Sequence, residues 1–148
     1  MNMTPDTIFT LSSAIAALGW LILIVASPFW ARADKFVVGI IIALLALVYT
    51  GLNFANFRGS DLPKFFSLDG IQSIYQNKAL LTAGWVHFLA FDLMVAVWIK
   101  RNSVKYRIAH GLIIPVLVFT CMLGPLGFLI YLLVRWIKTK DYFAQNFW

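Results

Sequence analysis

A histidine and an aspartate interrupt one of the long apolar segments of this chain. His87 and Asp92 both belong to residues 84–93, which read GWVHFLAFDL. A charged side chain at the centre of a membrane-spanning helix costs about 2.5–3.5 kcal/mol on insertion scales, so a residue of this kind needs a partner or a function. Burial disfavours the ionised form of a carboxyl group, so we expect Asp92 to stay neutral and to be able to donate a proton.

His87 and Asp92 are five positions apart, which separates them by about 140° around a helix and by about 7.5 Å along its axis. They are therefore not a contact pair, and each needs a partner on another helix. We consider Tyr49, Asn53 and Tyr131 as candidate partners. Structural roles remain open for both residues. In the structural alternative for Asp92, its carboxyl group bonds to an asparagine and only fixes the register of the helices.

Other polar residues in apolar segments fall on shared helical faces. Tyr49, Asn53 and Asn56 follow the spacing i, i+4 and i+7, and a second face carries Thr120, Gly124, Gly127 and Tyr131. We predict that one cavity inside the bundle is lined by Tyr49, Asn53, His87, Asp92, Thr120 and Tyr131. The alternative is that these stripes only form hydrogen bonds between helices, each worth about 0.6 kcal/mol.

The elements that must position these residues are membrane helices. Apolar residues make up 61% of the 148 residues and charged residues only 12%. Four segments reach the length of about 20 apolar residues that a spanning helix needs, at roughly 8–29, 36–56, 79–99 and 111–134. The alternating pattern of barrel strands is absent. We predict an all-α polytopic membrane protein, with four transmembrane helices in one bundle and a single domain over residues 1–148.

Two local features refine this architecture. Between the second and third segments, residues 67–75 predict a short interfacial helix capped by Ser67, although Gly70 weakens the pattern. In the fourth segment, Pro125 cannot donate a hydrogen bond to the Cys121 carbonyl. We expect a bend within a turn of Pro125, with that carbonyl unpaired and turned toward the cavity.

The net charge of +6 arises from basic residues at segment ends and in loops, a distribution that favours a membrane surface over nucleic acid as partner. With four crossings, the Lys and Arg residues divide six to six between the two sides. The density of the third loop and the uncharged N-terminal residues favour both termini outside the cytoplasm or stroma. The first segment lacks a preceding Lys or Arg and is too long for a signal peptide, so we expect it to be retained.

Several kinds of chemistry are excluded by composition. The chain has two histidines, His87 and His110, which lie in different segments, so neither a histidine-rich di-iron centre nor two-histidine haem ligation is expected. Metal-ligand spacings, phosphate-binding loops and acylation triads are absent from the sequence. We therefore expect no metal and no cofactor, and any chemistry to be acid–base chemistry on an apolar substrate.

The segment from Ser67 to Tyr131 resembles the abscisic-acid-deficient-4-like family of small four-helix membrane proteins. The resemblance rests on SLDG at residues 67–70, AGWVHFLAFDL at residues 83–93 with Trp98, and Pro115, Thr120, GPLG at residues 124–127 and Tyr131. The plant member of that family is implicated in making neoxanthin from violaxanthin. Residues 94–97, MVAV, and Asp69 depart from the family pattern, which leaves the substrate open.

The resemblance implies a metal-free isomerase that acts on a carotenoid or epoxycarotenoid. Neoxanthin formation opens an epoxide and removes a vinylic proton, and Asp92 and His87 suit the roles of acid and base. The expected substrate-binding residues are Tyr49, Asn53, Asn56, Trp85, Thr120 and Tyr131. The alternative is a noncatalytic membrane protein that binds a carotenoid or other polyisoprenoid lipid, or that assembles with other proteins, including copies of itself. The expected location is a bacterial inner membrane or a plastid membrane.

Overall fold

Four helices of the computed structural model, which describes residues 3–140, are long and apolar enough to cross a membrane. The helices, labelled in chain order, are α1 (Pro5–Ala26), α2 (Ala33–Asn56), α3 (Leu68–Tyr75), α4 (Lys78–Lys105) and α5 (His110–Thr139). A 3-10 helix, Gly59–Phe66, joins α2 to α3. The described residues contain no strand, and the prediction of an all-α polytopic membrane protein is confirmed.

Three of the helices begin where a side chain caps them. Thr4 accepts a hydrogen bond from the Thr7 amide before α1, and Ser67 accepts one from the Gly70 amide before α3. Asn77 accepts one from the Ala79 amide before α4. Each cap satisfies an amide that has no partner within its own helix. The short helix predicted between the second and third segments, with Ser67 as its cap, is therefore confirmed.

The central element of the bundle is α4, which packs against α1, α2 and α5. Gly19 of α1 allows a close approach, because a β-carbon at this position would come within 3.1–3.2 Å of Ile41 and Leu93 side-chain atoms. Small residues bring membrane helices together in this way. The buried core is apolar and draws on all four long helices; it includes Ala16, Leu23, Ile41, Leu45, Val86, Leu93, Ala96, Ile113, Val116 and Leu117.

Helix α5 is broken near its middle. Leu123 (φ −142°, ψ 43°) and Gly124 (φ 2°, ψ −76°) have non-helical backbone angles and divide α5 into a first arm, residues 110–122, and a second arm, residues 125–139. The second arm starts at Pro125, where the missing N–H of proline costs no helical hydrogen bond. The bend predicted within a turn of Pro125 is confirmed, whereas the unpaired Cys121 carbonyl stays a prediction.

The break reverses the direction of α5. The second arm returns along α4, since the ring of Phe128 lies 5.4 Å from that of Trp98 and the Tyr131 hydroxyl donates to Asn102 Oδ1 at 2.7 Å. Arg135 Nη1 donates to the same oxygen at 3.3 Å. At the tip, a β-carbon on Gly127 would overlap Thr120, seven positions earlier. A straight helix would separate these two residues by about 10 Å along its axis.

The ends of the described chain consequently lie at opposite ends of the bundle. Asp6 of α1 is 3.8 Å from Lys78 at the start of α4, whereas Arg135 lies over the ring of Tyr106, just after α4 ends. The prediction that places both termini on one side of the membrane stays a prediction. It treated the fourth segment as a single crossing with a bend, and the reversal at Gly124 removes that premise.

Candidate functional site

Asp92 lies at the break of α5, partly buried between α4 and the tip where the two arms meet. A β-carbon at Gly124 would overlap Asp92 Oδ1, so the absence of a side chain on Gly124 makes room for the carboxyl group. No group within residues 3–140 forms a hydrogen bond or an ion pair with this carboxyl. The carboxyl group of Asp92 therefore lies among apolar groups, and both of its oxygens are available to bond a ligand.

The predicted partners of Asp92 lie elsewhere. Tyr49 contacts His87, with 5.5 Å between ring centroids, and the Asn53 amide donates to the Tyr49 carbonyl of its own helix at 2.8 Å. The Tyr131 hydroxyl is bonded to Asn102, which is ten residues, or about 15 Å, further along α4 than Asp92. The expectation of a partner among these three residues is wrong for Asp92, whose neighbour is Gly124, whereas Tyr49 does contact His87 across helices.

His87 belongs to an exposed cluster of aromatic residues on a different face of α4. Its ring lies 4.6 Å from that of Phe91 and 5.5 Å from that of Tyr49. All three side chains are exposed at the surface of the bundle. The structure thus separates His87 from Asp92, in agreement with the helical spacing of the two residues.

The remaining predicted site residues have partners of their own. Asn56 donates to the Leu52 carbonyl at 2.9 Å, and buried Thr120 donates to the Val116 carbonyl at 2.8 Å. Trp85 Nε1 donates to Ser13 Oγ of α1 at 3.0 Å. These contacts join each side chain to its own helix or to α1. The prediction of one cavity lined by Tyr49, Asn53, His87, Asp92, Thr120 and Tyr131 is therefore wrong.

A groove of about 580 Å³ runs along α4 beside the second arm of α5. Val95 lines it one helical turn after Asp92 on the same face of α4, and Phe128 of the second arm lines it from α5. The inner end of the groove therefore adjoins the contact between Asp92 and Gly124. Its lining residues are mainly apolar with polar groups toward the end of α4: Val38, Met94, Val95, Val97, Trp98, Arg101, Asn102, Lys105 and Phe128.

Polar contacts that the sequence analysis missed hold the outer end of the groove. Arg101 Nε donates to Asp34 Oδ2 at 2.6 Å, which joins α4 to the start of α2. Asn102 is buried and accepts from Tyr131 and Arg135. The only sequence signal for this cluster was the position of polar residues near the ends of apolar segments. Solvated polar residues at helix ends occupy the same positions. The position alone therefore did not identify Arg101 and Asn102 as residues that form contacts between helices.

The described residues contain no group of three or more His, Cys, Asp or Glu side chains that could hold a metal ion. In this part of the chain, the arrangement that can support chemistry is the Asp92 carboxyl group together with the apolar groove beside it. Such a site can hold an apolar molecule and exchange a proton with it.

Comparison with protein families gives a match to the family described as ABA DEFICIENT 4-like, over residues 7–131. The match includes α1 and α2, which the sequence resemblance did not cover. Comparison with curated proteins and with solved structures gives no match. The matched residues make up most of the chain and contain Asp92, Gly124 and all nine residues that line the groove. The chain therefore belongs to the ABA DEFICIENT 4-like family, which supports a carotenoid-related role in a membrane.

Proposed function

We propose that this protein is a membrane isomerase that acts on a carotenoid or epoxycarotenoid, with Asp92 as the proton donor. The observation that carries the proposal is the position of Asp92: a carboxyl group without a hydrogen-bond partner in residues 3–140, next to an apolar groove. The groove volume, about 580 Å³, lies within the range of ligand pockets. Family membership supports a carotenoid as the ligand.

The proposed reaction needs only proton transfers. Asp92 gives its proton to the epoxide oxygen as one carbon–oxygen bond breaks, which leaves a hydroxyl group. The resulting Asp92 carboxylate then removes a vinylic proton from the polyene carbon beside the ring, and the electron pair of that C–H bond forms the allene. Atoms and electrons balance, Asp92 ends protonated, and the product is an isomer of the substrate.

A neutral Asp92 is a requirement of this mechanism. The start of the second arm of α5 lies beside the carboxyl group, and the positive end of its helix dipole favours an anion by about 0.3–1 kcal/mol, or up to about 2 kcal/mol. Removing a carboxylate from water costs several kcal/mol even after relaxation. The cost of dehydration exceeds the effect of the dipole, so we expect the neutral form to predominate.

His87 is not needed for the proton balance, because the same carboxyl group can act first as acid and then as base. The place of His87 on another face of α4 supports this simpler scheme over a pair of catalytic residues. His87→Gln should therefore keep isomerase activity, whereas loss of activity in this variant would restore His87 as the base.

The proposal is tested in a host that produces epoxycarotenoids. Wild type and Asp92→Asn are expressed to equal levels, and extracted pigments are separated to detect a new isomer. Asparagine keeps the shape of the side chain but has no transferable carboxyl proton, so Asp92→Asn should insert normally and lose the product. Production of the isomer by Asp92→Asn would overturn the role of Asp92.

A noncatalytic carotenoid-binding protein is the second candidate function. The observation in its favour is that five of the predicted site residues already form hydrogen bonds within the protein: Asn53, Asn56, Trp85, Thr120 and Tyr131. A purified protein that carries carotenoid while the host pigments stay unchanged would favour binding alone.

A further inference from the structure

The two ends of α5 lie at the same end of the bundle. His110 follows the end of α4 by a short turn, and its Nε2 lies 2.9 Å from the Ile24 carbonyl at the end of α1. Arg135 is at hydrogen-bond distance from Asn102, and its Cζ is 5.7 Å from the ring centroid of Tyr106. A straight helix would place residue 135 about 37 Å from residue 110. The first arm of α5 therefore runs toward Asp92, and the second arm runs back.

This reversal gathers the basic residues at one end of the molecule. Nine of the twelve Lys and Arg residues belong to that end: Arg32, Lys35, Lys100, Arg101, Lys105, Arg107, Arg135, Lys138 and Lys140. The other three, Arg58, Lys64 and Lys78, lie at the opposite end with Asp6, Asp61 and Asp69. The even division expected for four crossings becomes nine to three.

We infer that α5 enters and leaves the membrane on the same side, and that the end of the bundle carrying these basic residues, all of them outside the core except buried Arg135, is a surface for anionic lipid headgroups. We call that end the basic surface. Lys and Arg residues near membrane helices remain on the cytoplasmic side, where anionic lipids attract them. In a bacterium or a plastid, the basic surface would thus face the cytoplasm or the stroma. The start of α1 and the loop between α2 and α4 would face the opposite side.

The tip of α5 meets the requirements of a re-entrant turn. Non-helical backbone at membrane depth is tolerated where protein covers it. Gly124 is buried against Asp92, and Gly127 is buried against Thr120 of the other arm. The side chains that the tip exposes are apolar or weakly polar: Cys121, Met122, Leu123, Pro125 and Leu126.

Labelling of single cysteines in the full chain tests the topology. Cys121→Ser provides a cysteine-free background, into which Ser60→Cys, Ala109→Cys or Lys138→Cys is introduced; all three positions are exposed. In bacterial spheroplasts, a membrane-impermeant maleimide should label Ser60→Cys directly and the other two only after permeabilisation. Lys138→Cys labelled together with Ser60→Cys would overturn the re-entrant topology. Ala109→Cys labelled without permeabilisation would overturn the proposed orientation.

A lipid titration tests the basic surface. The thermal stability of the protein in neutral detergent is measured with added phosphatidylglycerol or phosphatidylcholine. Phosphatidylglycerol should raise the melting temperature more. The double variant Arg32→Gln, Lys35→Gln should lose part of this difference, whereas Arg58→Gln, Lys78→Gln at the opposite end should keep it. Equal effects of the two lipids would overturn the headgroup surface. Neither experiment involves a carotenoid, so the result is independent of the proposed isomerase.

Discussion

The carboxyl group of Asp92 packs against the α-carbon of Gly124, at the point where α5 reverses direction. Gly124 gives space to a polar group in the membrane, and Asp92 covers a stretch of backbone that has left the helix. The most informative variants therefore change this contact or the packing of the two arms of α5 around it.

Gly124→Ala should destabilise the protein by about 1–3 kcal/mol, the usual cost of overpacking a core. The new methyl group would overlap Asp92 Oδ1 and force the tip of α5 away from α4. Thermal unfolding in detergent measures the effect. Gly111→Ala is the matched control, because a β-carbon there meets nothing within 4 Å. A double-mutant cycle with Asp92→Ala should show a coupling of about 0.5–3 kcal/mol, and strict additivity would contradict the contact.

Gly127→Ala should destabilise the protein by a similar amount, about 1–3 kcal/mol, because its methyl group would overlap the side chain and backbone of Thr120. In a straight α5 these residues would be far apart and the same change would be harmless or slightly favourable. Gly51→Ala in α2 has open space around it and serves as control. If both variants melt at the wild-type temperature, the arms do not pack against each other.

Tyr131→Phe should lower the free energy of unfolding by about 1 kcal/mol, a typical value for one hydrogen bond. The change removes the buried donor at 2.7 Å from Asn102 Oδ1, which still accepts from Arg135. Tyr49→Phe deletes the same hydroxyl group from an exposed residue with no hydrogen bond in the described structure, so it should have no effect. Chemical denaturation in mixed micelles compares the pair. An equal loss in both variants would argue against the bond to Asn102.

The 3-10 helix Gly59–Phe66 should loosen at low pH. The Lys64 ammonium, 2.7 Å from Asp61 Oδ1, and the Arg58 amide hold the pKa of Asp61 below its usual range. A lowered pKa in the folded state means that the stabilisation is complete above the ordinary aspartate pKa of about 3.9 and is lost as the pH falls through the lower folded value. Hydrogen exchange of residues 59–66, corrected for its intrinsic pH dependence, should reveal this loss.

Asp61→Asn should make the exchange of this segment independent of acid, because asparagine does not titrate. Asp69→Asn, at an exposed position with no ion pair in the described structure, should keep the wild-type pH profile. A wild-type profile that stays flat from neutral pH to well below pH 3.9 would contradict a structural role for the Asp61 carboxylate.

The long helices were predictable because each depends on local sequence. Length and hydropathy identify a membrane helix, Ser67 identifies a cap three residues before its donor, and Pro125 with its flanking glycines identifies a break. The direction after the break was not predictable in this way. A bend and a reversal have the same local sequence, and the contacts that select the reversal join Arg135 to Asn102 and Tyr106, far away in the chain.

The candidate site was only partly predictable, for a different reason. Asn53 and Asn56 share a helical face as expected, yet each amide reaches a carbonyl one turn earlier in its own helix. A polar stripe therefore does not require a cavity, because the helix backbone can satisfy short polar side chains. Asp92 has no such hydrogen bond to its own helix in the described structure, and its functional role stays a prediction. Its neighbour, Gly124, has no side chain that sequence reasoning could recognise as a partner.

The reversal of α5 at Gly124 also constrains how the chain enters the membrane. Each arm has about 13–15 residues and extends about 20–23 Å, which is less than the hydrocarbon thickness of about 30 Å. Neither arm can be held across the bilayer by hydrophobicity alone, and the non-helical tip is tolerated only against protein. During synthesis, α4 must therefore already be in place as a template when α5 inserts. Insertion of α5 thus depends on packing against α4 as well as on hydrophobicity.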